Sequence, residues 1–500
     1  MAFAFSTAAH ALDWRFSPSV GARATYTDNA NQSDTDPQDE LSLSVTPGFS
    51  LMSVGSRRVT ASLSYTLTGT SRFGENNSSD VYHGLGALGR AELVDDLLFV
   101  EGTANVSQSL VSLFGSPADA TVNDSNRVTT GVYSLSPSLI KRFGTFATAQ
   151  ARYTVGGAIF GDNAASDSTT QAFSAGLASG TRFNDLSWGL NYSIRKADNS
   201  GGTRDTTFER ASLSLGYALT RKFRVFGTYG KEWNDFLSAN NQDGTSYSVG
   251  FGWSPNQRTS LEASVGERYF GRTYGVSGTY RTRATQWSLR YSEDVSDITQ
   301  QLLQDSGRIF WVCNNRLFET QDFTPPAGQT NCSEPYSGFQ IARSLAQLGV
   351  PLSDLVALGL VDIALNNGIY VIKSLNGGVS WQIGPRTSLG VSIFDTRRLY
   401  QAISNAEDRS QGVNGTVSYR LTPRSTANGS LGFTRNSATS ALLSAPARAD
   451  NTATLNLGVN HQFGKDLSGA LNFRHQQRDS NAANADFTEN SLSASVSMRF

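Results

Sequence analysis

The ten residues that close the chain, Ser491 to Phe500, alternate polar and apolar without interruption and end on an aromatic ring. Successive side chains of a strand point to opposite faces, so Leu492, Ala494, Val496, Met498 and Phe500 share one face, and the serines and Arg499 share the other. A terminal strand of this kind suits the closing strand of a bacterial outer-membrane β-barrel, greasy toward lipid and polar toward the lumen. Phe500 would then be the assembly signal offered to the barrel-assembly machinery.

The same dyad recurs along the chain. Val59, Ala61, Leu63, Tyr65 and Leu67 alternate with Thr60, Ser62, Ser64, Thr66 and Thr68, and the runs from Ala211 to Leu219 and from Ala453 to Val459 repeat the pattern. Counting such runs between turn residues gives roughly 22 segments, each about 10 to 15 residues long, enough to cross an outer membrane at a tilt. The expected fold is all-β: a single transmembrane antiparallel β-barrel of about 22 strands, with 20 to 24 as the range and an even number to bring both termini to one side. Composition fits only on this reading. With 38% hydrophobic residues and a mean hydropathy of -0.30, the chain has no apolar run of the roughly 18 residues a membrane helix needs, but a barrel requires only every second residue to be apolar. A formal net charge of -1 gives no reason to expect nucleic acid as a partner.

Connections alternate in length. Tight turns fall near Asp95-Asp96, Phe143-Gly144, Asn184-Asp185, Ser254-Pro255-Asn256, Gly384-Pro385 and Phe463-Gly464-Lys465, while longer polar stretches such as Thr27 to Glu40, Val111 to Asn126 and Asn436 to Asp450 lie between them. Short turns belong on the periplasmic side and long loops outside. Trp14, Trp188, Trp253, Trp287, Trp381, Tyr217, Tyr419, Phe463 and Phe500 sit where strands meet the short turns, as an aromatic girdle would. Residues 1–11 end in Ala9-His10-Ala11, a cleavage-like pattern, and read as the remnant of a secretory signal, with the barrel occupying 12–500. Strand 1 begins by about Asp13, which argues against a large N-terminal plug and so against a TonB-type transporter.

One segment breaks the rhythm. Residues 300–367 hold both cysteines, Cys313 and Cys332, then Pro325-Pro326, then helical spacing from Ile341 to Gly349, and a second apolar stripe of Leu352, Leu355, Val356, Leu358 and Leu360 behind Pro351. By the alternating count this is an external insertion between strands 15 and 16. Its amphipathic helices can bury themselves in the barrel mouth or lumen, or form a disulfide-pinned cap outside the rim. In an oxidising compartment the cysteine pair can close a short loop, contributing on the order of 3 kcal/mol.

Little else carries chemistry. Gly84-Leu85-Gly86-Ala87-Leu88-Gly89 matches a dinucleotide fingerprint, but it lies inside a period-2 strand with no helix to follow. His83, His461 and His475 are the only histidines beyond the presumed signal, and nothing local ties a serine to any of them. No catalytic, metal or cofactor site is expected. The luminal parity of the strands carries Arg23, Arg90, Arg152, Arg195, Arg224, Arg268, Arg290, Arg420, Arg474 and Arg499, against fewer acids, chiefly Glu92, Glu101 and Glu262. A water-filled bore with that excess would favour anionic solutes; the alternative is that the arginines pair with acids and serve packing and register. Asp34, Asp36, Asp39 and Glu40 can be read as a divalent-cation patch near lipopolysaccharide or as ordinary solvated loop charge.

The first hundred residues resemble the outer-membrane barrel family associated with the PEP-CTERM/exosortase system, through Pro18, Tyr26-Thr27-Asp28-Asn29, Pro47-Gly48 and the block from His83 to Phe99 with Leu88-Gly89 and Glu92-Leu93-Val94-Asp95-Asp96. Leu348-Gly349-Val350-Pro351 is similar to that family's loop. The resemblance implies a surface-polysaccharide setting and supplies no catalytic residues. The expectation is therefore a non-enzymatic, porin-like channel or conduit in a Gram-negative outer membrane, serving exopolysaccharide export or assembly. Outer-membrane lipid, lipopolysaccharide, and exopolysaccharide or its export proteins would be its partners. The alternative from another class is a non-conducting scaffold or adhesion protein acting through its external loops.

Overall fold

The structure is a computed structural model. It describes residues 13–500 apart from 55–57, 76, 117–122, 124, 201–203, 239–241, 314–315, 321–331, 333–334, 339–364, 366–367 and 444–445. The presumed signal remnant and both helical stretches expected between Ile341 and Leu360 lie outside the described residues.

Twenty-two antiparallel strands form one sheet that closes on itself. The seam joins the first strand, β1 (Asp13–Thr27), to the last, β25 (Phe487–Arg499), in a register running from Ser19↔Arg499 to Thr27↔Ser491. Beyond it the Phe500 amide donates to the Pro18 carbonyl at 2.9 Å. Pro18 lies just outside the seam's last pair, so its missing N–H costs no ladder bond there. Closure leaves no edge strand, which a lipid environment demands because it offers no water to unpaired backbone groups.

Dyad patterning sets which way each strand turns. On β25, Leu492, Val496 and Met498 are exposed outward, whereas Ser491 and Ser493 are buried inside. Leu41, Leu43 and Val45 likewise face out, while Ser42 and Ser44 face in. A one-residue slip would turn every greasy side chain into the bore, so the pattern fixes register strongly. The start of β1 and the end of β25 lie with the short turns, and at one of these turns Gly144 takes φ +56°, a conformation that glycine adopts without a Cβ clash. The girdle residues Trp14, Trp253, Trp287, Trp381, Tyr217, Tyr419, Phe463 and Phe500 are exposed on the outside at this end. Trp188 is half-buried instead, packed edge-on against Phe183. A second set, unforeseen from the sequence, lies toward the other end: outward tyrosines bonded to outward acids, as Tyr192 donates to Glu209 at 2.8 Å and Tyr247 to Glu267 at 2.5 Å.

The wall is not level. β4 (Ser78–Val94) and β6 (Arg127–Phe143) each run 17 residues, whereas β13 (Thr259–Arg268) and β14 (Gly271–Arg281) run 10 and 11. Only Tyr269 and Phe270 join β13 to β14 on the long-loop side, so the extracellular rim dips there.

The insertion leaves the wall after β15 (Thr285–Ser296) and returns at β19 (Tyr370–Ile383), which pair with each other. These are the fifteenth and sixteenth barrel strands. Helix α1 (Ile298–Gly307) opens the segment, followed by strands β16 (Ile309–Cys313), β17 (Arg316–Thr320) and β18 (Tyr336–Ser337), which form a separate three-stranded sheet in the order β17-β16-β18. Cys313 and Cys332 are disulfide-bonded and bridge this sheet. The segment that breaks the period-2 rhythm thus contains strand of its own: Ile309-Phe310-Trp311-Val312-Cys313 is a short continuous apolar run and forms a fully buried strand.

Candidate luminal site

The described part of the insertion lies against the inner face of the barrel. Leu302, fully buried, joins Ile298 and Leu365 in a cluster with Val128 and Val132 of β6 and with Ala158 and Phe160 of β7 (Ala147–Phe160). Burying each of the larger side chains contributes about 1.5–3 kcal/mol, and Val128, Val132, Ala158 and Phe160 occupy the luminal parity of their strands. Polar bonds fix the helix ends. Asp297 caps α1 by accepting from the Gln300 amide at 2.8 Å, and Arg195 of β9 (Leu186–Asn199) holds the same carboxylate at 2.6 Å. At the far end Asn105 of β5 (Leu98–Leu110) donates to Ser306 at 2.9 Å and accepts from Ser337 of β18 at 2.6 Å. The β4–β7 side of the bore is therefore covered.

Every arginine and glutamate singled out above sits at a luminal position in the register. Arg90 and Arg152 both pair with Glu101, with Arg90 lying over the Phe99 ring. Arg224 of β11 (Phe223–Asp235) pairs with Glu262 of β13. Arg268 forks onto Glu232 at 2.8 and 3.0 Å and reaches Asp294 at 2.7 Å. Arg474 of β24 (Leu467–Ser480) bonds the fully buried Glu489 at 2.8 Å, which also accepts from Thr27 and Gln32. Glu92 accepts from the Asp96 amide at the periplasmic turn. Arg23, Arg290, Arg420 and Arg499 share the luminal parity, and among the described residues no ion pair is recorded for the last three.

The acid count read from the sequence was too low. Glu232, Asp294, Asp408, Asp450 and Glu489 also face inward: Arg398 pairs with Asp408 at 2.8 Å, and Arg448 with Asp450 at 2.8 Å. Most luminal arginines are thus neutralised, by acids on the next strand (Arg90, Arg398 and Arg474) or two strands away (Arg152, Arg224 and Arg268), pairings that a reading of one strand at a time cannot see; Arg448 and Asp450 share a strand. At the dipping rim, burial pushes the Tyr269 hydroxyl above its ordinary range, and that hydroxyl lacks a hydrogen-bond partner.

The glycine motif at Gly84 lies within β4, with no helix behind it. His83 meets Tyr65 at 2.8 Å and His475 meets Asn490 at 2.8 Å, both on the outer face. His461 lies 2.8 Å from Ser425, a serine–histidine contact the sequence did not reveal because 36 residues separate the two. Phe463 packs edge-on against the imidazole, and no carboxylate is bonded to it among the described residues, so the orienting member of a catalytic triad is not in place. Among the described residues no cluster of three or more His, Cys, Asp or Glu side chains could hold a metal ion.

No family model and no curated protein matches the sequence. The fold does have solved counterparts. The FrpB iron transporter from Neisseria meningitidis superposes with a TM-score of 0.51 at 10% identity, covering 97% of this chain and 82% of that one. The siderophore receptor PirA from Acinetobacter baumannii gives 0.49 at 10% identity, over 98% and 81%. At such identity the likeness to FrpB concerns the fold alone. Together with the closed cylinder, its greasy outside and its polar bore, that fold defines an integral β-barrel of the Gram-negative outer membrane.

Proposed function

We propose that the chain is a passive outer-membrane conduit for hydrophilic solutes, narrowed from within by its own β15–β19 insertion and working in a surface-polysaccharide setting. The observation that carries this reading is the asymmetry of the bore. The β4–β7 side is apolar and covered by α1, while the wall from β10 (Thr206–Thr220) to β14 presents serine, threonine, glycine and arginine. A polar inner face with no apolar cover among the described residues suits transit of hydrated solutes. The exopolysaccharide assignment rests on the N-terminal resemblance. Selectivity for anions rests on Arg290, Arg420 and Arg499, since the other arginines discussed are largely matched by acids.

Conductance of the purified protein in planar bilayers tests the proposal. Small currents are expected from the full chain, rising several-fold when residues 298–368 are replaced by a short linker. Silence from both forms would overturn it.

A second reading has its own observation. The loop after β5 reaches past the seam to β22 (Ser425–Ala438), β23 (Arg448–Gln462) and β24: Arg478 donates to the Gly115 carbonyl at 3.0 Å, Arg448 to the Phe114 carbonyl at 3.0 Å, and Asn436 to the Leu113 carbonyl at 3.2 Å. A mouth strapped in this way favours a non-conducting scaffold that acts through its loops. Cutting the strap while leaving the insertion would separate the two, because only a conduit should then gain current.

A further inference from the structure

The inner face of β10 (Thr206–Thr220), β11, β12 (Gly244–Asn256), β13 and β14 carries glycine at several luminal positions. Gly230, Gly266 and Gly275 share the luminal parity with Thr228, Ser246, Ser248 and Ser264. A Cβ on Gly266 would stand 2.7 Å from the Cβ of Ser248, and one on Gly275 would stand 2.7 Å from the Ser264 hydroxyl. Glycine therefore hollows the wall. The hollow has a volume of about 210 Å³ and is lined by Arg210, Arg268, Thr228, Ser246, Ser248 and Ser264 among others.

Its two guanidinium groups are not equivalent. Arg268 spends three donors on Glu232 and Asp294, and in doing so engages both Glu232 oxygens. Arg210 stands 3.7 Å from Glu232, beyond hydrogen-bond reach, and its buried Nε has no acceptor. Ser246, 3% exposed, has a hydroxyl without a partner. A native interior seldom leaves such donors unmet, so both are suited to a ligand. The four charges of the cluster sum to zero, and long-range attraction is not the attraction on offer. What remains is geometric: a planar fork of N–H donors matched to a carboxylate or similar oxyanion, beside a field of hydroxyls.

We propose that this hollow binds a polyhydroxylated solute bearing a carboxylate, with Arg210 reading the carboxylate and Ser246, Ser248, Ser264 and Thr228 meeting the hydroxyls. The proposal rests on the conduit reading only in requiring that solutes reach the lumen. A free acidic sugar and an acidic residue within a polysaccharide share this chemistry.

Titration calorimetry of the detergent-solubilised full chain with glucuronate, a glucuronate oligomer and glucose tests it. Glucuronate should bind at least about tenfold more tightly than glucose, and Arg210→Gln should remove most of that preference, as loss of a charge-assisted pair implies. Arg224→Gln, lower on the same wall, should leave it intact. Ser246→Val should weaken glucuronate several-fold and keeps the test decisive if the arginine variant fails to fold, which heat-dependent gel migration would reveal. Tighter binding of the oligomer supports a polymer as the source, and equal binding supports the free sugar. Equal affinity for glucuronate and glucose, or indifference to both substitutions, overturns the site. Because binding is read without current, a protein that binds but never conducts keeps the site and loses the conduit, and one that conducts without binding does the reverse.

Discussion

The two sides of the bore are made of the same kind of strand and have opposite inner surfaces. On β6 and β7 the luminal positions include Val128, Val132, Ala158 and Phe160, and α1 lies on them. On β11 to β13 the luminal positions include Thr228, Ser246, Ser248 and Ser264, and a hollow lies over them. The wall is tall where α1 covers it and short at β13 and β14, where none of the described residues of the insertion lies. Luminal polarity in a barrel of this size is thus a local property: a strand turns apolar inside where another part of the chain is to be buried on it, and stays polar elsewhere.

That contrast can be broken or sharpened by substitution. The largest effect is expected at Leu302, fully buried in the shared cluster: Leu302→Ala should loosen the insertion by about 2–5 kcal/mol, read as faster proteolysis within residues 298–320 while the barrel keeps its heat-dependent gel migration. Replacing both Cys313 and Cys332 by serine should cost about 3 kcal/mol by the loop-entropy estimate, seen as earlier amide exchange in β16 and β17. Asp297→Ala removes the cap of α1 and the partner of Arg195, and should cost about 1–2 kcal/mol in the same exchange measurement. On the open wall, Ser264→Ala should shift thermal stability by no more than about 0.5 kcal/mol, since nothing is packed on it that depends on the hydroxyl. A cost as large as that of Leu302→Ala would mean that the open wall is covered as well.

Much of this was legible in the dyad. The alternation of Leu492 to Phe500 with the intervening serines gave the final strand and its facing, while a reading for arginine excess passed over inward acids such as Glu232, Asp408 and Asp450. What it could not give was partnership across strands, since Arg268 meets Glu232 from 36 residues away. Helix α1 was missed because Ile298-Thr299-Gln300-Gln301-Leu302 has few apolar residues, although Asp297 ahead of it was a usable capping signal. One cue to the covered wall was present and unread. Val128, Val132 and Phe160 are apolar at luminal parity, and Leu88 on β4 is buried inward too, so the exceptions to the alternation marked where the insertion would rest.

The claim on which the account depends most is that α1 lies inside the cylinder against β5 to β7. Cysteines placed by Asn105→Cys and Ser306→Cys, with the native disulfide kept, test it in intact cells, because the two side chains are 2.9 Å apart although 201 residues separate them. Mass spectrometry of the digested protein should find these two positions joined in a correctly assembled barrel. Finding them unjoined, with position 306 readily labelled by an impermeant thiol reagent from outside, would contradict the account.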